Sequence, residues 1–441
     1  MSFTAGNLAD YVHGELVGSA DSLCCGAAID TRESIVGKVF FALKGKHVDG
    51  HDYVGKAVEN GCAAVVVERP IDVAVPVIIV DDVKCALLQL AKARREAMQF
   101  KSVIAVTGSV GKTTTKDFLS CLLGDSAVAS RRSFNNDLGI PLTILDGERA
   151  SILIAEVGAN EIGEIEPLAK LIQPDIAILT SIEKAHLEGF GNKKTVLTEK
   201  VKLLQAVHKD GIVIVPDTIG LSACTIEAAK ITVGNSRGAD VRVITAIDSD
   251  GFAMLTIEDI TVKLSMLGEH NAMNAALAVV AAKHACPTIS LALLLERASL
   301  VQAAEGRLCE KEVGGIVFLD DSYNANPASM RSALELFTKR TATRKVLVLG
   351  DMLELGESSH TEHRLLSTVI EKVDADLIIL VGEAMREALG SFAAICVDNV
   401  DDLASITSLL RPRDLVLLKG SRGLCLERII DSWRKTKVLE H

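Results

Sequence analysis

Residues 103–116, VIAVTGSVGKTTTK, constrain this chain more than any other stretch. The apolar run 103–106 predicts a buried parallel strand. A turn bearing Gly108 and Gly111 follows, and the residues from Lys112 predict a helix to position 123. A strand feeding a glycine loop and a helix N-terminus makes a cradle for phosphates. Glycine lets backbone N–H groups come close to an anion, and the helix dipole puts positive charge at the same point. Lys112 supplies a mobile cation for outer phosphates, and Thr113 a hydroxyl for Mg²⁺. The expected contacts to a nucleotide triphosphate here are Thr107, Gly108, Ser109, Val110, Gly111, Lys112, Thr113 and Thr114. General phosphate-loop spacing wants a glycine five residues before Gly111, and that position is Val106. The loop is therefore a shorter form, TGSVGKTTT.

A chain of 441 residues exceeds what one core holds, so two or three domains are expected. Apolar residues make up 49% and mean hydropathy is +0.31, yet no run is long enough to span a bilayer. They come instead as short Val/Ile/Leu runs at 63–67, 152–155, 176–179, 212–215, 346–349, 377–381 and 415–418. Such runs separated by helical spacing predict parallel strands and an α/β fold. Aromatics are only 3% and net charge is −11, which argues against nucleic acid or an anionic membrane as partner. The ten cysteines form no CxxC pair and no His/Cys metal spacing. They are expected to be reduced and mostly buried, in a cytoplasmic protein. The first residues, MSFTAGNLADYVHG, lack the basic-then-apolar order of a signal peptide.

Three units are expected: a small N-terminal α/β domain (1–83), a central phosphate-loop domain with a mostly parallel sheet (84–309), and a C-terminal Rossmann-like doubly wound domain (310–441). The first break falls near Val80-Asp81-Asp82, before a helix expected over 83–99. The second falls near Arg307, where Gly314-Gly315 opens a new strand.

In an open parallel sheet, ligands collect at the carboxyl ends of strands. Glu156 follows one expected strand and His186 another, beside the phosphate loop. A carboxylate and an imidazole next to a triphosphate suit Mg²⁺, although position alone leaves both open to ordinary solvated roles. Asn271 and Asn274, three apart, share one face of a helix start. An amide both donates and accepts, which suits an adenine edge; a helix cap is the bland alternative for Asn271.

Several segments together resemble the Mur ligase family: TGSVGKTTTK, AEVGAN, KAHLEGFG, GEHNAMNAALA, Gly306-Arg307 and DDSYNANPASM. The resemblance runs from Ile29 to about Arg422. SFNNDLGIPLTIL, HLEGFG, DDSYNANPASMRSAL and VLVLGDMLELGE point within it to the branch that adds D-alanyl-D-alanine to UDP-N-acetylmuramoyl-tripeptide. It implies an ATP-dependent amide ligase working through an acyl phosphate, in peptidoglycan precursor synthesis, as a monomer.

Residue by residue, it implies that Lys112 holds outer phosphates and that Thr113, Glu156 and His186 order Mg²⁺. Lys200 falls where the family carries a carbamylated lysine, although Glu199 stands where a small residue is usual. Lys112, Lys200, Glu156 and His186 are thus the implied catalytic set. Asn271 and Asn274 would meet adenine, Arg307 phosphate and Asp321 ribose. In the N-terminal part, Thr31, Arg32 and Lys44 would serve the uridine diphosphate-sugar, Arg32 and Lys44 as counter-charges. Asn135, Asn136, Asn324, Asn326, Asp351 and Glu354 would face the peptide or the acceptor. His363 matches a family histidine, and Lys419-Gly420-Ser421-Arg422 the closing motif. Two alternatives remain: a ligase of the family adding a single amino acid, and a nucleotide-dependent switch that performs no ligation. The amine that stimulates phosphate release separates the first; turnover indifferent to sugar-peptides marks the second.

Overall fold

The computed structural model describes residues 3–45, 47–131, 133–147, 150–183, 187–392, 395–401 and 403–438. Three large sheets follow one another along an α/β chain, beside a two-stranded antiparallel pair of Phe3–Thr4 and Leu23–Cys24. The first has five strands in spatial order Glu15–Val17, Val77–Ile79, Ala64–Val67, Val39–Phe41, Ala27–Ala28. All are parallel except the edge strand Glu15–Val17. Helix Val83–Ala97 follows, capped by Asp82, whose side chain accepts the Cys85 N–H at 2.8 Å. Its apolar stripe, Val83, Ala86, Leu87, Leu90 and Ala91, is buried in the core of that sheet.

The second sheet has nine strands, with Ser102–Thr107 between Ile152–Glu156 and Ile176–Leu179, all three parallel. Ile104 and Val106 share a core with Phe118, Leu119 and Leu122 of helix Lys112–Leu123. Val103 and Ala105 join the opposite core with Ile140, Leu168 and Leu204. Helices cover both faces, which is why this strand is an unbroken apolar run rather than an alternating one. Chain order reverses beside it: the next strands lie on one side, then Ile176–Leu179 on the other. That reversal opens a crevice at the strand ends, where the phosphate loop sits.

Beyond Ala229–Gly234 the sheet continues through Val241–Ile247 and then turns antiparallel with Phe252–Ile257 and Ile260–Leu267. None of these three strands is among those expected from the sequence. Their outer positions are partly exposed and carry Lys, Thr and Arg, so no apolar run marks them.

The third sheet has six strands in order Cys309–Val313, Ile316–Asp321, Asp414–Lys419, Arg344–Gly350, Leu377–Val381, Ile395–Val397. Only the first is antiparallel. Gly314 (φ 56) and Gly315 (φ 76) make its two-residue hairpin turn, which needs positive φ at both positions. The strand on the near side of that turn, CEKEV, alternates charge with half-burial and escaped the sequence reading.

The cysteines differ from expectation. Only Cys24 and Cys62 are buried, whereas Cys25, Cys85 and Cys121 are exposed. The last two lie on the outer sides of amphipathic helices, where a small side chain costs little. Among the described residues no helix is long and apolar enough to cross a membrane.

Phe118 is 0% exposed in the core beneath the phosphate loop. Phe118→Ala is expected to destabilise the central unit by about 3–5 kcal/mol, measured as a lowered urea midpoint. An unchanged midpoint would contradict the packing described.

Candidate active site

The phosphate loop is fixed from both ends. The Thr107 hydroxyl donates to the Val157 carbonyl at 2.9 Å, tying two strand ends together. Gly108 has φ 150 and Gly111 φ 87. A Cβ on Gly108 would lie 2.0 Å from Thr180 Oγ1, and one on Gly111 2.4 Å from Asn274 Oδ1. Backbone conformation and close approach therefore both demand glycine. Lys112 Nζ folds back over the loop, donating to the Gly108 carbonyl at 2.8 Å and the Ser109 carbonyl at 3.3 Å. Desolvation pulls its ammonium below the ordinary lysine range; Glu156 opposes this and Arg307 adds to it.

Glu156 ends the adjacent strand and is 1% exposed. Its Oε1 accepts from Asn135 Nδ2 at 2.9 Å, while Oε2 is buried with no hydrogen-bond partner among the described residues. A buried carboxylate oxygen without a donor is unfavourable, and a cation would satisfy it. Thr113 stands at the helix start, where its Oγ1 accepts from Arg307 at 2.9 Å. No cluster of three or more His, Cys, Asp or Glu forms a metal cage among the described residues. Mg²⁺ needs no such cage: one or two carboxylates with phosphates and waters hold it. Glu156 and Thr113 fit that donor set. His186, expected as a further ligand, lies outside the described residues.

Lys200 is 2% exposed in helix Lys193–Gln205. Desolvation and then Lys112 hold its amine well below the usual lysine range, with Glu199 opposing. A buried lysine in its neutral form is a nucleophile suited to adding CO₂. Glu199, the unusual neighbour, has its own work. Its Oε1 accepts the N–H groups of Gly163 and Ile165, each at 3.0 Å, and its Oε2 pairs with Lys202 at 2.6 Å. It thus anchors the start of helix Ile165–Ile172 and pairs with Lys202.

The remaining expected nucleotide residues converge on the same cleft, of about 1030 Å³. Asn271 and Asn274 both line it, but much of their hydrogen-bonding capacity is used internally. Asn271 Nδ2 donates to the Leu267 carbonyl at 2.8 Å, and its Oδ1 accepts from Asn274 Nδ2 at 3.1 Å. Asp321 lines the cleft too, with Lys419 Nζ 2.6 Å from its Oδ2. Desolvation raises the Asp321 pKa, against the pull of Lys419 and Arg307.

The expected substrate residues divide. Asn135, Asn136, Asn324 and Asn326 line the cleft. Asn136 Oδ1 also accepts the Gly139 N–H at 3.0 Å, and Asn326 caps helix Pro327–Lys339 through the Ser329 N–H at 2.9 Å. Thr31, Arg32 and Lys44 lie apart from it on the first sheet's unit, with Arg32 paired to Asp30 at 2.6 Å. Asp351 does not open onto the cleft; its Oδ1 accepts the Met385 N–H at 2.7 Å at the start of helix Glu383–Leu389. The Glu354 carbonyl accepts the Glu188 N–H at 3.3 Å, so this loop touches the central unit through its backbone.

His270, Tyr323 and Lys419 are among the cleft residues that received no role from the sequence. Tyr323 and Lys419 stood inside quoted motifs, but nothing in their spacing reveals a shared cavity. His363 is buried outright and holds the 351–354 loop. Its Nδ1 donates to the Ser359 carbonyl at 2.7 Å, leaving Nε2 to accept the Met352 N–H at 3.0 Å.

Three family models match in order along the chain. They are "Mur ligase family, catalytic domain" over residues 26–112, "Mur ligase middle domain" over 106–282, and "Mur ligase, glutamate ligase domain" over 306–422. The chain is 32% identical to the UDP-N-acetylmuramoyl-tripeptide--D-alanyl-D-alanine ligase of Bacillus subtilis (strain 168), covering 97% of each. It is 33% identical to the Haemophilus influenzae protein of the same name, covering 96% of this chain and 97% of that one. Among solved structures, MurF from Acinetobacter baumannii superposes with a TM-score of 0.84 at 30% identity over 99% of both chains. MurF from Thermotoga maritima, solved with ADP, gives 0.79 at 26% identity, covering 95% of this chain and 99% of that one.

Desolvation lowers the His363 pKa, opposed by the Ser359 carbonyl and Asp351; His360 lowers it further and Glu362 raises it. The unfolded chain takes up a proton near pH 6.5 that the folded site resists, so stability is full above that pH and falls below it. Between pH 7.5 and 5.5, wild type should lose more stability than His363→Gln, by up to about 1.4 kcal/mol per pH unit. Parallel losses in urea titrations would contradict this assignment.

Proposed function

The chain belongs to the Mur ligase family, and from that premise we propose that it uses ATP to join D-alanyl-D-alanine to the C-terminal carboxylate of UDP-N-acetylmuramoyl-tripeptide. The reaction serves peptidoglycan precursor synthesis in the cytoplasm. One cleft supports this reading above all. It is walled by helix Val83–Ala97, the phosphate loop and the start of helix Pro327–Lys339, so that a nucleotide, a peptide and an acceptor can meet in it.

A carboxylate does not acylate an amine in water, because its leaving group is poor. Phosphorylation changes that. A carboxylate oxygen of the tripeptide attacks the γ-phosphorus, the bond to the bridging oxygen breaks, and ADP departs. The amine nitrogen of D-alanyl-D-alanine then attacks the acyl carbon. The carbon–oxygen bond breaks, phosphate leaves, and the nitrogen gives up its proton.

The chain's residues supply charge and position for these steps. Lys112, arched over the loop, offsets negative charge on the transferring phosphoryl. Arg307 brings a second cation from the domain junction to the helix start. Glu156, Thr113 and Lys200 as its carbamate, with His186, would hold Mg²⁺. When bound, Mg²⁺ neutralises the repulsion between phosphate and carboxylate. Asn135, on the loop preceding helix Gly139–Asp146, orients Glu156. Asn324 and Asn326 face the acceptor, while Thr31, Arg32 and Lys44 hold the uridine diphosphate.

Phosphate release from Mg-ATP should require both UDP-N-acetylmuramoyl-tripeptide and D-alanyl-D-alanine. Lys112→Ala should abolish nearly all of it while the fold survives. Stimulation by a single amino acid would move the specificity elsewhere in the family, and normal turnover in Lys112→Ala would overturn the ATP-site assignment. Chelation of divalent cations should stop turnover. In ¹³CO₂-equilibrated protein, a carbamate carbon resonance should be present in wild type and missing in Lys200→Ala. The same spectrum from both proteins would remove the carbamate from the account.

A further inference from the structure

Tyr323 sits half-buried in the cleft just past strand Ile316–Asp321 and touches parts of the chain far apart in sequence. The Arg307 guanidinium carbon lies 4.1 Å from its ring centroid, and that of Arg422 lies 5.9 Å away. A guanidinium over an aromatic face is attracted by the ring quadrupole. The stacked Arg307 is the one whose Nη2 reaches Thr113 Oγ1 at the phosphate-loop helix. The backbone repeats the attachment: the Tyr323 N–H donates to the Gly306 carbonyl at 2.9 Å. Gly306 has φ 71, and a Cβ on it would lie 3.0 Å from Tyr323 N. The glycine before Arg307 is thus shaped to let Tyr323 close in.

The hydroxyl points elsewhere. It hydrogen-bonds Ser133 Oγ on the loop preceding helix Gly139–Asp146. Two residues on, Asn135 donates to Glu156 Oε1. A phenylalanine would fill the same space and stack equally well, so the hydroxyl has a separate job. It joins the C-terminal unit to the loop that orients the buried carboxylate.

We infer that Tyr323 is a positioning residue with two separable actions. Its ring holds Arg307 over the start of the phosphate-loop helix, and its hydroxyl ties the 133–136 loop to the docked C-terminal unit. The second action, read through turnover, rests on the ligase reading above; the first stands on nucleotide binding alone.

The test uses the full chain as wild type, Tyr323→Phe, Tyr323→Leu, Ser133→Ala and the Tyr323→Phe/Ser133→Ala double variant, all checked for matching thermal unfolding. Mg-ADP affinity is measured for each, then kcat and KM for UDP-N-acetylmuramoyl-tripeptide at saturating ATP. Tyr323→Leu should weaken Mg-ADP binding by about 5–10-fold, from loss of the stacked cation. Tyr323→Phe should bind Mg-ADP within about 2-fold of wild type, because the ring is kept. Tyr323→Phe and Ser133→Ala should each lower kcat/KM for the tripeptide by about 5-fold, and the double variant should be no worse than either. Wild-type ADP affinity in Tyr323→Leu would overturn the ring's role. Multiplying losses in the double variant would overturn the hydroxyl bond. A wild type that binds ADP but ignores the tripeptide would sink the ligase reading and with it the hydroxyl's role, while the ADP comparison still decides the ring's.

Discussion

The close seating of helix Glu269–Ala285 against the phosphate loop is the contact on which the rest depends. Asn274 approaches Gly111 so closely that a Cβ there would sit 2.4 Å from its Oδ1. The missing Cβ of Gly111 permits that approach, and the helix is buried on nearly every side, with the small residues Ala272, Ala275, Ala276 and Ala278 among those covered. It shares its core with Ile104, Val106 and Phe118, the residues that hold the phosphate strand and its helix in register. A loop whose N–H groups must converge on phosphate cannot be left to find its shape on binding. Packing below it and Asn274 beside it fix that shape in advance.

Charge follows from the same arrangement. The chain as a whole carries −11, yet Lys112, Arg307 and Lys419 line the cleft, and buried Lys200 lies near enough to Lys112 to feel its charge. Burial holds Lys112 and Lys200 below their ordinary range, with Arg307 adding to it at Lys112 and Lys112 adding to it at Lys200. Against them stand Glu156, with one oxygen unpartnered among the described residues, and Asp321, already paired with Lys419. A cleft built this way favours bound anions, and a carbamate on Lys200 would convert one of its cations into a carboxylate-like group. The metal-holding reading of Glu156 and the depressed amine of Lys200 are therefore two sides of one electrostatic problem.

Much of this was legible in the sequence because burial on two faces leaves a plain mark. Ser102–Thr107, Ile176–Leu179 and Leu377–Val381 are near-continuous apolar runs, and the glycines of the loop stand where positive φ is needed. What escaped has a physical reason too. Val241–Ile247, Ile260–Leu267 and Cys309–Val313 are half-exposed, and their polar outer faces dilute the pattern. Arg307 meets Thr113 across 194 residues, a pairing spacing cannot supply and resemblance only hinted at. Asp351 read as a substrate residue, but its carboxylate caps helix Glu383–Leu389; capping and binding draw on the same residue types. His363, matched only as a family histidine, proved to be a backbone support with both ring nitrogens occupied.

The central claim is that amide formation passes through an acyl phosphate in this cleft. The most direct measurement supplies UDP-N-acetylmuramoyl-tripeptide with ¹⁸O in its C-terminal carboxylate and follows the oxygen by mass. Attack on the γ-phosphorus must carry one labelled oxygen into each inorganic phosphate released as the pentapeptide forms. Phosphate that stays unlabelled while pentapeptide accumulates would contradict the account.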